Sequence, residues 1–264
     1  HTASNIASGD LEARVSIRNH PEEIKQLAET FNMMIDRIHL LLKEIKDISN
    51  VIAHDLRSPL TRIRGDVEVT LRGDSSIEDY QQTSERVIEE CDRLEGMINT
   101  MLEIASIDSG INKPNLESAN LNDLLVDAVD LFEPLAEAKC QSIEFIPPVE
   151  EVLIMTDRSK LQRSIANILD NAIKYSGESG KIKITLARET GVVYLRIQDS
   201  GVGIPKDELN KVFRPFYRCD RSRNKPGNGL GLSYVKSIID SLGAHIQIQC
   251  PDSGGTIVEI LFKA

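Results

Sequence analysis

The sequence predicts a multidomain chain: an all-α helical hairpin that becomes a four-helix bundle in a dimer, followed by an α+β sandwich of helices on a sheet. Three observations predict it. Apolar or small residues recur alternately every four and three positions from Leu27 to Ile52 and again from Tyr80 to Ala105, the period of a helical seam. After Lys113-Pro114-Asn115 that period gives way to alternating helix and strand patterns. The 264 residues, 41% hydrophobic, suffice for one large domain or two small ones with their own cores.

The first helix rests on Leu27, Phe31, Met34, Ile38, Leu41, Ile45, Ile48 and Ile52, continued by Leu56, Leu60, Ile63, Val67 and Leu71. So narrow and long a stripe cannot bury itself, so it calls for the same stripe of a second subunit, a homodimer. Arg72-Gly73-Asp74-Ser75-Ser76 supplies turn chemistry. The second helix carries Tyr80, Ser84, Val87, Cys91, Leu94, Ile98, Met101 and Ala105 and stops at Asp108-Ser109-Gly110. Cys91 falls on that seam and reads as a packing residue.

In the second region Leu121 to Ala138 is a helix, Ser142 to Phe145 a short strand, and Lys160 to Tyr175 an amphipathic helix opening after Asp157-Arg158-Ser159. Lys181 to Arg188 and Val192 to Gln198 form a hairpin across Thr190-Gly191. A last helix, Leu230 to Leu242, precedes strands at His245 to Cys250 and Gly255 to Phe262.

A net charge of −10 argues against a nucleic-acid binder, because such a surface repels a phosphate backbone. Cys91, Cys140, Cys219 and Cys250 form no CxxC pair, which fits a reducing compartment. No apolar run approaches the roughly 18 to 20 residues that span a bilayer, so the fragment reads as soluble. It opens at His1 in mid-pattern, so the natural protein is expected to extend further upstream.

His54 lies two positions after Ile52 and two before Leu56, so helical geometry turns its imidazole to the flank of the bundle. Asp55 beside it can hold one ring nitrogen and leave the other more nucleophilic. Pro59 removes a backbone donor one turn later and bends the helix. Alone, that pattern is an exposed histidine beside a kink.

Asn167, Asn171 and Lys174 share one helical face, with Tyr175 following. Carboxamide oxygens can complete the shell of Mg²⁺, for which Asn171 is the candidate, and the lysine neutralises phosphate charge. Asp199-Ser200-Gly201-Val202-Gly203-Ile204-Pro205 places an acceptor for an exocyclic amine, as adenine offers, beside glycines that admit a ligand closely. Gly227-Asn228-Gly229-Leu230-Gly231-Leu232-Ser233 opens the last helix, where backbone N–H groups suit phosphate. Each run alone reads equally as a polar face or a turn.

Together these residues resemble the sensor histidine kinases. His54-Asp55-Leu56-Arg57-Ser58-Pro59-Leu60-Thr61 resembles the family's H-box, Asn167 to Tyr175 its N-box, and the two glycine runs its G1 and G2 boxes, with Val212 to Arg218 resembling the F-box. The resemblance implies ATP and Mg²⁺ as ligands, an ATP-binding sandwich of the gyrase type, His54 as phosphoacceptor with Asp55 orienting it, and transfer onward to an aspartate of a response regulator. It implies ATP contacts at Asn167, Asn171, Lys174, Tyr175, Asp199, Gly201, Gly203, Ile204, Phe216, Arg218, Gly227, Gly229, Leu230, Gly231 and Leu232. Ser58 stands where the family often has Thr or Asn to place water for dephosphorylating the regulator. Asn228 replaces a usual Thr or Ser, and Cys219 to Pro226, with Arg221, Arg223 and Lys225, reads as a lid over the nucleotide or as a solvated loop.

Ile6 to Val15 and Pro21 to Met34 resemble the second half of a HAMP signal-relay module, which implies a membrane-anchored bacterial parent with this part on the cytoplasmic side of the inner membrane. The expected domains are 1–37 partial HAMP, 38–112 dimerisation and phosphotransfer hairpin, and 113–264 ATP-binding domain. Gly177-Glu178-Ser179-Gly180-Lys181 resembles a P-loop but lacks its first glycine and preceding strand, so it reads as a turn. Two other functions fit the same motifs. An ATP hydrolase of this fold needs a carboxylate base where Asn167 stands, and an amide cannot take a proton from water. A nucleotide-binding signalling adaptor would be expected to have lost the motifs.

Overall fold

The computed structural model describes residues 22–73, 75–189, 191–219, 227–251 and 254–263, and within the first helix no side chains at 22, 23 and 39–49. The expected HAMP-like stretch through Pro21, the side chains of Leu41, Ile45 and Ile48, Asp74, Thr190, and Arg221, Arg223 and Lys225 lie outside the described residues. The chain falls into two compact units that divide between Arg62 and Ile63.

Helix α1 (Glu22–Arg72) runs through both and continues as helix past Pro59. In the first unit Ala28 and Ile35, seven apart, are buried, whereas Leu27, Met34 and Ile38 of the predicted stripe are exposed on the single chain.

In the second unit α1 turns back into α2 (Ile77–Asp108). The turn is built from hydroxyls and a capping box. Ser75 Oγ donates to the Thr70 carbonyl at 2.7 Å, the Thr70 and Thr83 hydroxyls meet at 2.7 Å, and Ser76 and Asp79 cap each other. On α2 the buried residues are Thr83, Met97, Ile104 and Ile107. On the single chain Val87, Leu94 and Met101 of the predicted seam are half-buried, and Tyr80, Ser84, Cys91, Ile98 and Ala105 are exposed. Two neighbouring four-three stripes share positions 87, 94 and 101, and periodicity does not say which one turns to α1. Cys91 is accordingly exposed rather than part of the chain's own core.

The α+β part contains β1 (Glu117–Asn120), α3 (Leu121–Glu137), β2 (Ser142–Phe145), β3 (Leu153–Thr156), α4 (Arg158–Tyr175), β4 (Lys181–Glu189), β5 (Val192–Asp199), α5 (Gly231–Ser241), β6 (His245–Gln249) and β7 (Ile257–Lys263). Strands order β2-β4-β5-β7-β6, with β2 parallel to β4 and the other pairs antiparallel; β1 and β3 form a separate ladder. One face of the large sheet, with Ile182, Ile184, Leu195, Ile197 and Ile260, packs on α3, α4 and α5 through Leu124, Leu125, Ile165, Leu169, Val235 and Ile239. Along β4 burial falls on Ile182, Ile184 and Leu186, every second residue, before the strand leaves the core at its end. Gly177 to Gly180 is a turn, closed by Gly180 N–H on the Gly177 carbonyl at 3.1 Å.

Asp157 begins α4 as its N-cap, accepting from Lys160 N–H at 3.2 Å and from Asn115 N–H at 3.0 Å. Burial pushes its carboxyl up, but the N–H groups of Asn115 and Lys160, with Ser159 and Lys160, outweigh that and hold it below the usual range. A depressed carboxyl contributes stability that is present above the unfolded value and lost as pH falls through the folded one. Asp157→Ala is expected to cost about 1–2 kcal/mol, read as a lower thermal midpoint at neutral pH.

Candidate nucleotide site and phosphoacceptor

Between α4, the end of β5, the Val212–Cys219 segment and the start of α5 lies a cavity of about 300 Å³. This is within the range of small-molecule sites. Asn167, Asn171, Lys174, Tyr175, Asp199, Gly203, Ile204, Arg218, Gly227, Gly229, Gly231 and Leu232 line it, so residues from four separated motifs meet at one place.

Asp199 sits where β5 ends, buried, and its position is set from two sides. Its Oδ1 accepts from Gly201 N–H at 2.7 Å and from Thr256 N–H at 3.1 Å, and the Thr256 hydroxyl also donates to the carboxylate. A carboxylate offers about four lone-pair positions, so about one remains for a ligand in the cavity. Burial pushes this carboxyl above the usual range, and the three donors pull against it without cancelling it.

The α4 side is equally ordered. Asn167 Nδ2 donates to the Arg163 carbonyl at 2.9 Å, and Lys174 Nζ pairs with Asp170 Oδ2 at 3.0 Å. A Cβ on Gly231 would stand 3.0 Å from Asn167 Oδ1, so a larger residue there would press on the Asn167 carboxamide as the start of α5 passes α4. Gly231 and Leu232 line the cavity and begin α5, so their N–H groups are among those a helix leaves without an intrahelical acceptor. Asn228 Oδ1 accepts from Leu230 N–H at 3.2 Å, and Arg218 Nη1 donates to the Gly227 carbonyl at 2.8 Å, which fixes the strand of chain entering the helix.

Three of the expected contact residues stand just behind the cavity surface. Gly201, Phe216 and Leu230 are next to lining residues of the cavity without lining it in this structure. A Cβ on Gly201 would lie 2.6 Å from the Tyr175 carbonyl oxygen. Phe216 and Leu230 are buried, and Phe216 N–H donates to the Gly229 carbonyl at 2.9 Å. Sequence reasoning missed Thr256, whose signal was the Gly254-Gly255-Thr256 run before β7. It also missed the apolar floor of Ile168, Ala172, Ile197, Val202, Val212, Ile248 and Val258, which read only as core.

In the other unit His54 stands on α1 with 81% of its side chain exposed, and its Nδ1 meets Asp55 Oδ1 at 3.2 Å. The tautomer with the proton on Nδ1 donates to this carboxylate and leaves the lone pair on Nε2. Ser58, one turn on, has its hydroxyl oxygen held by Arg62 Nη1 at 3.0 Å.

Comparison with known proteins bears on both places. The model of the "Histidine kinase-, DNA gyrase B-, and HSP90-like ATPase" family matches residues 156–264, that of the "His Kinase A (phospho-acceptor) domain" residues 46–110, and that of the HAMP domain residues 1–40. The sensor histidine kinase CusS of Escherichia coli O6:H1 is 30% identical over 259 residues, covering 97% of this chain and 54% of its own length. The chain thus spans about half the length of this curated relative. A solved structure of the histidine kinase AdeS of Acinetobacter baumannii matches with a TM-score of 0.64 over 80% of this chain and 97% of that one; at 23% identity it supports the fold. The histidine kinase ThkA, solved in complex with the response regulator protein TrrA, matches with a TM-score of 0.64 and 25% identity over 86% of this chain and 64% of that one.

Proposed function

This chain belongs to the sensor histidine kinases of two-component systems, and from that premise we propose that it binds ATP with Mg²⁺ in the α4–α5 cavity and moves the γ-phosphoryl group onto His54. The observation that carries the reading is the cavity itself, where a buried carboxylate, two carboxamides, a lysine and a helix N-terminus converge. Asp199 would accept from the adenine amine, and Lys174 and the start of α5 would take the phosphates. Asn171 is the residue suited to hold Mg²⁺. Asn167 has its nitrogen on Arg163 and its oxygen towards Gly231, and among the described residues no cluster of three His, Cys, Asp or Glu competes for a metal. A metal that keeps waters and phosphate oxygens fits one such amide, and it would spread the charge of the phosphates.

In the transfer the Nε2 lone pair of His54 forms the bond to the γ-phosphorus while the bond to the departing ADP oxygen breaks, and Nδ1–H stays on Asp55. The phosphoryl group would then pass to an aspartate of a response regulator, a partner class supported by the ThkA complex. Ser58 would serve dephosphorylation of that partner. Asn167 in place of a carboxylate favours transfer over hydrolysis. The reading takes residues 1–37 as partial HAMP, 38–112 as the dimerising hairpin and 113–264 as the ATP-binding domain. The exposed stripe of α1, with Leu27, Met34 and Ile38, supports a homodimer. No described helix is long and apolar enough to cross a membrane. The parent protein would be anchored by segments outside this chain, with this part on the cytoplasmic side.

Incubation with γ-labelled ATP and Mg²⁺ tests the proposal. The chain should take up acid-labile, base-stable label, and His54→Gln should take up none; label that persists in that variant would refute the assignment.

A further inference from the structure

The polar face of α4 works in two stretches. Its first residues grip the end of the hairpin: Lys160 Nζ donates to Asn112 Oδ1 at 3.1 Å, and Arg163 donates to Thr100 Oγ1 at 2.7 Å and pairs with Glu103 of α2, which also accepts from the Tyr234 hydroxyl at 3.2 Å. Its last residues, Asn167, Asp170, Asn171 and Lys174, line the nucleotide cavity, and steps of three or four residues keep them on one side of the helix. Asn167, Asn171 and Lys174 each have a place in the reading above. Asp170 has none, and a carboxylate lining a space that receives phosphates works against their binding, because like charges repel.

What Asp170 does in the structure is hold the lysine. Lys174 Nζ lies 3.0 Å from Asp170 Oδ2, with the lysine side chain 20% exposed and the carboxylate 55%. The same ammonium stands 3.8 Å from where a Cβ of Gly227 would be, on the chain that leads into α5. It thus reaches the segment expected to meet the phosphates while it is bound to Asp170. Stability does not require this pair. An exposed ion pair four residues apart adds little to a helix, and Lys174 already stands in the last turn of α4, where the helix dipole favours a cation.

We infer that Asp170 is a specificity-determining residue that admits the nucleotide as its Mg²⁺ complex and turns away metal-free nucleotide. The inference rests on the ATP reading above. A phosphate group that takes Lys174 from Asp170 leaves the carboxylate uncompensated in the same cavity. Metal-free ATP brings only negative charge to it. The Mg²⁺ complex brings a dication together with the phosphates, and Asn171, the residue suited to hold that ion, directly follows Asp170. The exchange is then balanced: Lys174 passes from carboxylate to phosphate, and the carboxylate passes from the lysine to the field of the metal and its waters.

Calorimetric titration of the full chain, in a His54→Gln background that keeps ATP intact, measures the dissociation constants of ATP in excess Mg²⁺ and in EDTA. The ratio of the metal-free constant to the Mg²⁺ constant is expected to fall about fivefold or more in Asp170→Asn, chiefly because metal-free ATP binds more tightly. Asp240→Asn on α5 removes an equal charge from a like pair, Lys236 with Asp240 at 2.6 Å, neither of which lines the cavity, and should leave the ratio at the parent value. A ratio in Asp170→Asn that equals the parent's overturns the inference, also where both forms tighten together, since Asp170 would then only sequester Lys174. An equal fall in Asp240→Asn overturns it as well, because overall charge would then account for the effect. If the parent chain binds ATP in neither condition, the nucleotide reading itself fails, and the inference with it.

Discussion

An Asp199→Asn chain is expected to fold at least as stably as the wild type and to bind ATP about 100-fold or more weakly. The two outcomes diverge for one physical reason. Burial raises this carboxyl above its unfolded value, so between those two values the native state holds more protons than the unfolded state. Stability therefore falls as pH rises through that window, and the neutral amide removes the penalty. Asn keeps an oxygen for the N–H groups of Gly201 and Thr256, which already share Oδ1. What remains for the ligand is then an NH₂ group, a donor facing the amine donor of adenine. Losing one charged hydrogen bond and burying an unpaired donor together cost about 3–4 kcal/mol. Calorimetric titration and thermal denaturation of the variant check the two halves separately. In the wild type, ATP affinity should decline as pH falls through the raised carboxyl value, at a pH above the ordinary carboxylate range.

Gly255→Ala should be the most damaging single methyl group in the ATP-binding domain. Gly255 has φ +84°, and a Cβ there would stand 2.1 Å from the Asp199 carbonyl oxygen, which is backbone and has nowhere to go. Left-handed strain costs about 1–3 kcal/mol, and forcing β5 away from the Gly254–Thr256 segment adds the bonds between Thr256 and Asp199. The total expected is about 4 kcal/mol or more, a fall in thermal midpoint of roughly 8–16 °C for a domain of this size. Nucleotide affinity should fall with it, since Asp199 moves. Gly191→Ala provides the comparison: φ is +81° but nothing lies within 4 Å of the new Cβ, so about 1 kcal/mol is expected. Equal losses in the two variants would show that the close approach at Gly255 is unimportant.

Much of this architecture was legible because its signals are local. The four-three period announced the hairpin, strict alternation announced β4, and the glycine runs marked the rim of the cavity. The parts that stayed hidden depend on distance. β1 and β3 are strands by pairing with each other, Glu117 opposite Thr156 and Asn120 opposite Leu153, a partner neither short run shows by itself. Thr83, Met97 and Ile104 rather than Cys91 and Ile98 are buried because the choice between adjacent stripes is made by the neighbouring helix, not by the stripe. Thr256 reaches Asp199 across 57 residues, and Tyr234 reaches Glu103 across 131. Phe216 and Leu230 belong to motifs of the site yet stand just behind its surface, a distinction that sequence spacing does not carry.

The double duty of α4 limits how this protein can be rebuilt. A residue inserted between Arg163 and Asn167 would rotate everything after it by about 100°, separating the hairpin grip from the nucleotide contacts even though every residue of both survived. Hybrid kinases that graft a foreign sensor or hairpin onto this domain therefore need their junction upstream of Thr100, so that the donor and acceptor halves of the grip travel together. A junction in the linker near Lys113, the place that chain composition alone recommends, would leave Arg163 and Tyr234 facing a stranger's helix.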